Sequence, residues 1–488
     1  MPRPRAPPKA PEIPDAYRAT LASLFARRRF GIRPGLEVIS ALCAGLGHPE
    51  RAFPSVHLTG SKGKGSTAAL TEAVLRGHGL RTGLFTSPHL ASYRDRIQVD
   101  RKPIPREEVV AGVERVDALA GRLQREGAID RAPTFFEVTT AVGFDWFARS
   151  KVEVGVIEVG IGGRLDSTNL LDGRVGVLTT IELEHTELLG PTLEAIAHEK
   201  AGILKPGMTA VLGEIPAGPR AVIEADAGRA GVPLWHLGRE VAVENRTLSE
   251  DGQGFDVRLP GTRVEGIWLP MFGAFQAANT GLAVAAAARF LSATGRSFSG
   301  DAVRTGLASA EWPGRLDRVA RRPDLFYDTA HTPESARSVA VSLAEIAPLT
   351  DPAENAIVFG CLKGKQVERI LDTLSVLAQT LVVVPVRSDR AIPVGDLRAA
   401  AAGRFRRVVV APTPADGVKI GRVSTGPDGF TLVVGSDYLV GELLRPSGST
   451  EEPDLSDPGV TGSLPETEPE PDLGPTRPGR VPRHRTRP

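Results

Sequence analysis

The chain is most constrained at His57-Leu58-Thr59-Gly60-Ser61-Lys62-Gly63-Lys64-Gly65-Ser66-Thr67, where an apolar run passes through a glycine-rich turn into a helix-like segment. Phe53 to Leu58 reads as a strand and Ala68 to Leu75 carries helical spacing. Strand, glycine turn and helix are the setting of a phosphate cradle. Backbone N–H groups and the helix N-terminus hold phosphate oxygens, and a lysine reaches the terminal phosphates. The fit to a Walker loop is incomplete, because Leu58 stands where the first glycine belongs and Gly65 stands where Ser or Thr is usual. From these residues alone, a glycine-rich βα turn with surface lysines is the plain alternative.

At 488 residues the chain has room for two or three domains, given about 150 residues per domain. Its 59 Lys+Arg balance 58 Asp+Glu, for a net charge of +1. That balance argues against a nucleic-acid binder and leaves room for a local anion pocket. Cys43 and Cys361 lie far apart without metal-ligand spacing, so no disulfide framework or zinc site is expected and a reducing cytoplasm fits. No apolar run approaches the roughly 18 residues of a membrane span, and Met1 to Pro8 lacks the apolar core of a signal peptide. A soluble, unexported protein is expected, a monomer by default, with no membrane or nucleic-acid partner.

Residues 1–16 are proline-rich and basic and read as an unstructured arm. Organised chain begins at Tyr17, with helical spacing at Leu21, Leu24 and Phe25 and again from Leu36 to Leu42. A short strand over 81–86 stops at Ser87-Pro88-His89, and Thr134-Phe135-Phe136 opens a mainly apolar helix through Phe147 whose pattern suits core packing. The β-branched run Val152 to Val159 brings Glu158 to a strand end, where open α/β sheets gather ligand groups. There an acid holds Mg²⁺ beside nucleotide phosphates or pairs with Arg164. Val175 to Ile181 leads to His185, a metal ligand or a structural histidine, and Lys200 lies near the end of a helix whose dipole it complements.

Residues 240–270 read as a small β excursion, and Gly273 to Leu291 as an alanine-rich helix. Trp312-Pro313-Gly314-Arg315 marks a break, dividing the chain into domains at 17–310 and 311–445. Beyond it, strands at Leu325 to Asp328, Ala356 to Gly360, Leu381 to Val386, Arg407 to Ala411 and Thr431 to Val434 alternate with helices. That alternation predicts a second mainly parallel sheet. Residues 446–488 are too polar and proline-rich to fold alone and read as a disordered tail.

Together these segments resemble the Mur ligase family, in its folylpolyglutamate synthase/dihydrofolate synthase branch. The motifs are Thr59 to Ser66, Thr86-Ser87-Pro88-His89-Leu90, Glu158 to Asn169, His185 to Thr192, Glu199-Lys200-Ala201-Gly202-Ile203, Pro313-Gly314-Arg315 and Asp328-Thr329-Ala330-His331. The resemblance spans 17–445, and the irregular Lys-Gly-Ser loop ending is this family's own variant. It implies an α/β fold, with an N-terminal P-loop ATPase-type domain and a smaller C-terminal Rossmann-like domain. The implied activity is ATP-driven amide formation, with an acyl phosphate made from a substrate carboxylate and captured by the amino group of glutamate.

By the same resemblance, Gly60, Ser61, Lys62, Gly63, Lys64, Gly65, Ser66 and Thr67 hold ATP, joined by Asn279, Arg315 and Asp328. Ser87, Glu158 and His185 are Mg²⁺ ligands, and Lys200 is carbamylated as support for a second Mg²⁺. Lys64, Lys200 and, in an orienting role, His331 are the catalytic set. Thr134, Phe135, Phe136, Leu165, Asp166 and Ser167 face the pterin, with aromatic stacking and Asp166 accepting from its N–H groups. Departures fall at Ser61-Lys62, Phe275, Thr332 and Asp437, the last in a usually apolar place. A peptidoglycan-type Mur ligase and a nucleotide-binding relative without ligase activity are the alternatives.

Overall fold

The computed structural model describes residues 14–27, 31, 33–347 and 350–445. The expected tail, and all of the expected arm but its last three residues, lie outside them.

Eight strands form the first sheet: β1 (Ser55–Thr59), β2 (Thr82–Phe85), β3 (Ile97–Val99), β4 (Lys102–Pro103), β5 (Val154–Glu158), β6 (Gly173–Leu178), β7 (Thr209–Leu212) and β8 (Leu234–His236). Their order is β4-β3-β2-β5-β1-β6-β7-β8. The run from β2 to β8 is parallel, with β3 and β4 added antiparallel at one edge. Every residue of β1, β2 and β5 is buried. Parallel strands covered on both faces need continuous apolar runs of this kind. Because β2, β5, β1 and β6 are neighbours pointing one way, the loops after Phe85, Glu158, Thr59 and Leu178 all emerge at one edge.

On one face, the helices Lys64–Gly77, Ala274–Ala293 and Gly300–Ala308 pack against the strands, together with an antiparallel sheet of β9 (Ala242–Ser249), β10 (Gly252–Leu259) and β11 (Thr262–Leu269). The other face carries Asp15–Ala26, Glu37–Gly45, Arg106–Arg125 and Phe135–Arg149. Residues 91–133 hold elements absent from the expectations above: β3, β4 and the Arg106–Arg125 helix. That helix buries Val109, Val113, Val116, Leu119 and Ala120, a stripe at helical spacing that was there to be read.

The second sheet comprises β12 (Asp317–Ala320), β13 (Asp324–Tyr327), β14 (Ala356–Phe359), β15 (Thr380–Val383), β16 (Arg407–Val410) and β17 (Phe430–Val434), in the order β12-β13-β17-β14-β15-β16. Only β12 runs antiparallel. The turn between β9 and β10 reaches this sheet through Arg321 to Glu250 at 2.6 Å and Arg318 to Asp251 at 3.7 Å. Arg318 also lies over the rings of Phe272 and Phe326, so it bridges apolar surface from both sides.

The helix that starts at the glycine loop is fixed by contact of backbones. A Cβ on Gly306 would collide with the Ala73 carbonyl, and one on Gly77 with the Ala302 carbonyl. Neither glycine has a positive φ, so the requirement is purely one of space. Gly306→Ala is therefore expected to lower stability by about 1–3 kcal/mol, read as the urea midpoint. An unchanged midpoint would show that the helices separate freely.

Candidate active site

The edge where β1, β2, β5 and β6 end opposes the corresponding edge of the second sheet across a cleft of about 930 Å³. The glycine loop forms its floor. Gly60 has φ +145° and Gly63 has φ +81°, and a Cβ on Gly63 would lie 2.7 Å from Asn279 Oδ1. The loop is tied to the chain after β6, with Ser61 N–H donating to Thr180 O at 2.8 Å and Lys62 N–H to Thr180 Oγ1 at 2.9 Å. Glu182 N–H donates to Ser61 Oγ at 2.9 Å. With those anchors made, the helix beginning at Lys64 points its N-terminus into the cleft.

Two ammonium groups converge on one carbonyl. Lys64 Nζ donates to Gly60 O at 2.7 Å and Lys200 Nζ donates to the same oxygen at 3.0 Å. Lys200 is buried and forms an ion pair with Glu184 at 2.8 Å. Burial, partly offset by Glu184, lowers the Lys200 pKa to about 8, while the Glu184 carboxyl falls to about 2 against its own burial because Lys200 and Lys64 stand beside it. Glu158 lies between loop and second sheet and accepts Ser87 N–H at 3.0 Å. Burial raises its pKa to about 7, opposed by Lys64, Ser87 N–H, Arg315 and Arg96.

From the second sheet, Asp328 follows β13 and accepts Leu316 N–H and Ala330 N–H, each at 2.7 Å. Burial pushes it to about 6. Arg315 donates to Gly314 O at 3.1 Å and to Thr329 Oγ1, and its guanidinium lies 3.8 Å from Asp437. His331 Nδ1 is 2.9 Å from Thr329 O, which makes Nδ1 the donor and leaves Nε2 as the acceptor; burial lowers the ring's pKa.

The cleft thus brings together Ser61, Lys62, Gly63, Lys64, Gly65, Ser66, Ser87, Glu158, His185, Lys200, Asn279, Arg315, Asp328 and His331. Two loop residues stand apart from its lining. Gly60 presents its carbonyl to the lysines, and Thr67 is fully buried with its hydroxyl donating to Asn279 Oδ1 at 3.3 Å. Thr67 thereby ties the loop helix to the Ala274–Ala293 helix.

None of the six residues expected around a pterin lines this cleft. Thr134 caps its helix, exchanging hydrogen bonds with Glu137. Phe135 is buried, stacked on Phe25 with centroids 5.5 Å apart and lying beneath Arg96, so its face is already covered. Asp166 Oδ1 accepts from Thr168 and Oδ2 accepts Ile161 N–H at 3.0 Å. Both oxygens accept from the residue's own loop. Ser167 is buried, Leu165 is exposed, and the Phe136 ring packs close against Gly160, which lines the cleft.

Sequence reasoning passed over Glu184, one residue before His185 and the direct partner of Lys200. It also gave no role to Lys363, Lys365 and Arg390, which line the second sheet's wall. The signal for Lys363 and Lys365 was two lysines flanking Gly364 just after the apolar run of β14. Among the described residues no three His, Cys, Asp or Glu side chains group as a metal site. Mg²⁺ keeps several waters and is held by one or two carboxylates plus phosphates. Glu158 beside the cradle fits that donor set.

A glycine cradle at the mouth of one parallel sheet, faced by a second, defines a two-domain nucleotide-using enzyme. Known proteins narrow it. Residues 127–287 match the Mur ligase middle domain, and residues 314–437 match the Mur ligase glutamate ligase domain. The dihydrofolate synthase/folylpolyglutamate synthase of Mycobacterium tuberculosis is 37% identical over 77% of this chain and 79% of its own. The folylpolyglutamate synthase of Lacticaseibacillus casei is 34% identical over 88% of this chain and 98% of its own. A crystal structure of Mycobacterium tuberculosis folylpolyglutamate synthase complexed with ADP and AMPPCP superposes with a TM-score of 0.80 at 34% identity, covering 88% of this chain and 98% of that one. The chain belongs to the Mur ligase family, in the folylpolyglutamate synthase/dihydrofolate synthase branch, whose members are ATP-dependent ligases.

The raised Glu158 pKa has a consequence for stability. The unfolded chain releases this proton near 4.5 and the native protein near 7. The group's stabilising protonation is therefore complete below about pH 4.5 and lost as pH rises through about 7. Ligand-free Glu158→Gln is expected to match the parent at pH 4 and to exceed it by up to about 3 kcal/mol at pH 8. Parallel profiles in urea unfolding would contradict the burial account.

Proposed function

We propose that the chain is a ligase that adds L-glutamate to dihydropteroate, to a reduced folate, or to both, using ATP to make an acyl phosphate. The observation that carries this reading is the convergence of Lys64 and Lys200 on Gly60 O beside Glu158, facing Arg315 and Asp328. The glycine loop and the helix N-terminus receive the β- and γ-phosphates, with Lys64 swinging from Gly60 O to a phosphate oxygen. Asn279 and, across the cleft, Arg315 and Asp328 hold the nucleotide. A carboxylate of the acceptor attacks the γ-phosphorus and ADP leaves. The amine of glutamate then adds to the acyl carbon, and phosphate departs as the tetrahedral adduct collapses. Negative charge grows in both steps, and Lys64, Arg315 and the helix dipole are aimed where it grows. His331 Nε2 orients the incoming amine by accepting a hydrogen bond from it, and Lys363, Lys365 and Arg390 supply cations for the carboxylates of glutamate.

Two Mg²⁺ ions belong to this reading: Ser87, Glu158 and His185 would hold one and a carbamylated Lys200 the other, where they would neutralise phosphate charge. A lysine whose pKa falls to about 8 offers free amine to CO₂ at neutral pH. Its ion pair with Glu184 has to open first. The same reading takes domains at 17–310 and 311–445, a cytoplasmic monomer and small-molecule substrates alone.

ADP release with dihydropteroate, tetrahydrofolate or a UDP-muramoyl peptide, each with glutamate, tests the proposal. Pteroyl-dependent release is expected. Release only with the muramoyl peptide, or with none, would overturn it. Lys64→Ala and Glu158→Ala are each expected to cut kcat by at least about 10²-fold with the fold intact. Lys200→Ala should be rescued by a small carboxylate if the carbamate forms, and full activity without rescue would remove Lys200 from the mechanism.

A further inference from the structure

His57 lies buried in β1, the strand that leads into the glycine loop, and takes no part in the steps above. Its Nε2 is 2.8 Å from Thr168 Oγ1, and that hydroxyl is 2.6 Å from Asp166 Oδ1. Asp166 Oδ1 also accepts Thr168 N–H at 3.0 Å, and Oδ2 accepts Ile161 N–H at 3.0 Å. Gly160, Ile161 and Gly162 line the cleft immediately after Glu158 and Val159. Beside this chain of bonds, Thr59 Oγ1 donates to Gly162 O at 2.6 Å. The strand that ends in the nucleotide loop is therefore joined to the turn that follows Glu158 directly through Thr59 and indirectly through His57, Thr168 and Asp166.

The directions of these bonds follow from the proton inventory. A threonine hydroxyl has one proton, and the Asp166 oxygens accept the N–H groups of Thr168 and Ile161 against the burial that raises its pKa, so Thr168 donates to Asp166 and His57 donates to Thr168 from Nε2. A neutral imidazole fits this, since burial and the nearby Lys205 lower the His57 pKa to about 3. Lys205 Nζ also donates to the carbonyls of Asn169 and Leu171, each at 2.6 Å, pinning the chain just beyond Thr168.

We propose that His57 and Thr168 are positioning residues for the acceptor side of the site: through Asp166 they fix the Gly160–Gly162 turn beside Glu158, leaving the nucleotide loop to its own anchors. The proposal rests on the ligase reading both for the acceptor side itself, which the resemblance puts at Leu165, Asp166 and Ser167, and for the pteroyl substrate affected. Deleting the Thr168 hydroxyl leaves a buried imidazole N–H and one carboxylate lone pair unpaired, and the turn shifts. The loop keeps Thr180, Thr179 and the Ser61–Glu182 exchange, so ATP binding stays.

The test compares Thr168→Val, which deletes the hydroxyl, with Thr168→Ser, which keeps it. Thr168→Val is expected to raise the KM for dihydropteroate about tenfold, with the KM for ATP within about twofold, and Thr168→Ser to restore both. Equal shifts in both KM values, no shift, or a serine variant as poor as the valine would overturn the proposal. Histidine-selective ¹⁵N NMR of the unliganded protein reads the relay without substrate. It should show one imidazole held Nε2-protonated from pH 5 to 8, absent in His57→Gln; an Nδ1-protonated or titrating His57 would overturn the assignment. Should the parent enzyme turn over no pteroyl substrate, the ligase reading fails while the NMR arm still decides the relay. It also decides if Thr168→Val does not fold.

Discussion

Two lysine ammonium groups directed at one carbonyl oxygen form the interaction on which this site depends. Lys200 is buried, and its burial and the nearby Lys64 both work against its charge. Its ammonium is favoured there only when something negative stands near. Glu184 supplies part of that charge and a phosphate would supply the rest. The arrangement therefore favours nucleotide binding in advance, with its cost met by the folded sheet. The parallel order β2-β5-β1-β6 makes it possible, because four strand ends in one plane deliver Ser87, Glu158, the loop and Glu184 to one edge.

The carboxyls of the cleft divide according to their partners. Glu184 remains ionised because Lys200 touches it, whereas Glu158 and Asp328 are pushed up by burial with only backbone N–H groups and more distant cations to oppose it. An ionised Glu158 is thus disfavoured until positive charge arrives at its free oxygen, which ties its ionisation to ligand binding. That dependence distinguishes a binding carboxylate from a structural one, and Glu137, paired with Arg131 at 2.8 Å, shows the structural kind.

Much of this was legible in the sequence, because parallel strands covered on both faces leave unbroken β-branched runs. The second sheet, the strand that carries Glu158 and the irregular loop all followed from such runs and the turns between them. What was not legible depends on contacts between residues distant in the chain. The stacking of Phe25 on Phe135 covers a ring that the resemblance puts at the pterin, and the bond from His57 to Thr168 ties β1 to the loop that holds Asp166. Lys200 looked like a helix-end cation, and nothing along the chain reveals that Glu184 and the Gly60 carbonyl meet it.

The central claim is that this cleft moves a phosphoryl group onto a carboxylate before any amide forms. Turnover of a pteroyl substrate carrying ¹⁸O at both oxygens of the reacting carboxylate, with the released phosphate read by ³¹P NMR, tests it directly. The account predicts one ¹⁸O atom in each phosphate for every amide formed, because the C–O bond breaks on the carbon side of the acyl phosphate. Phosphate free of ¹⁸O alongside normal amide formation would contradict it.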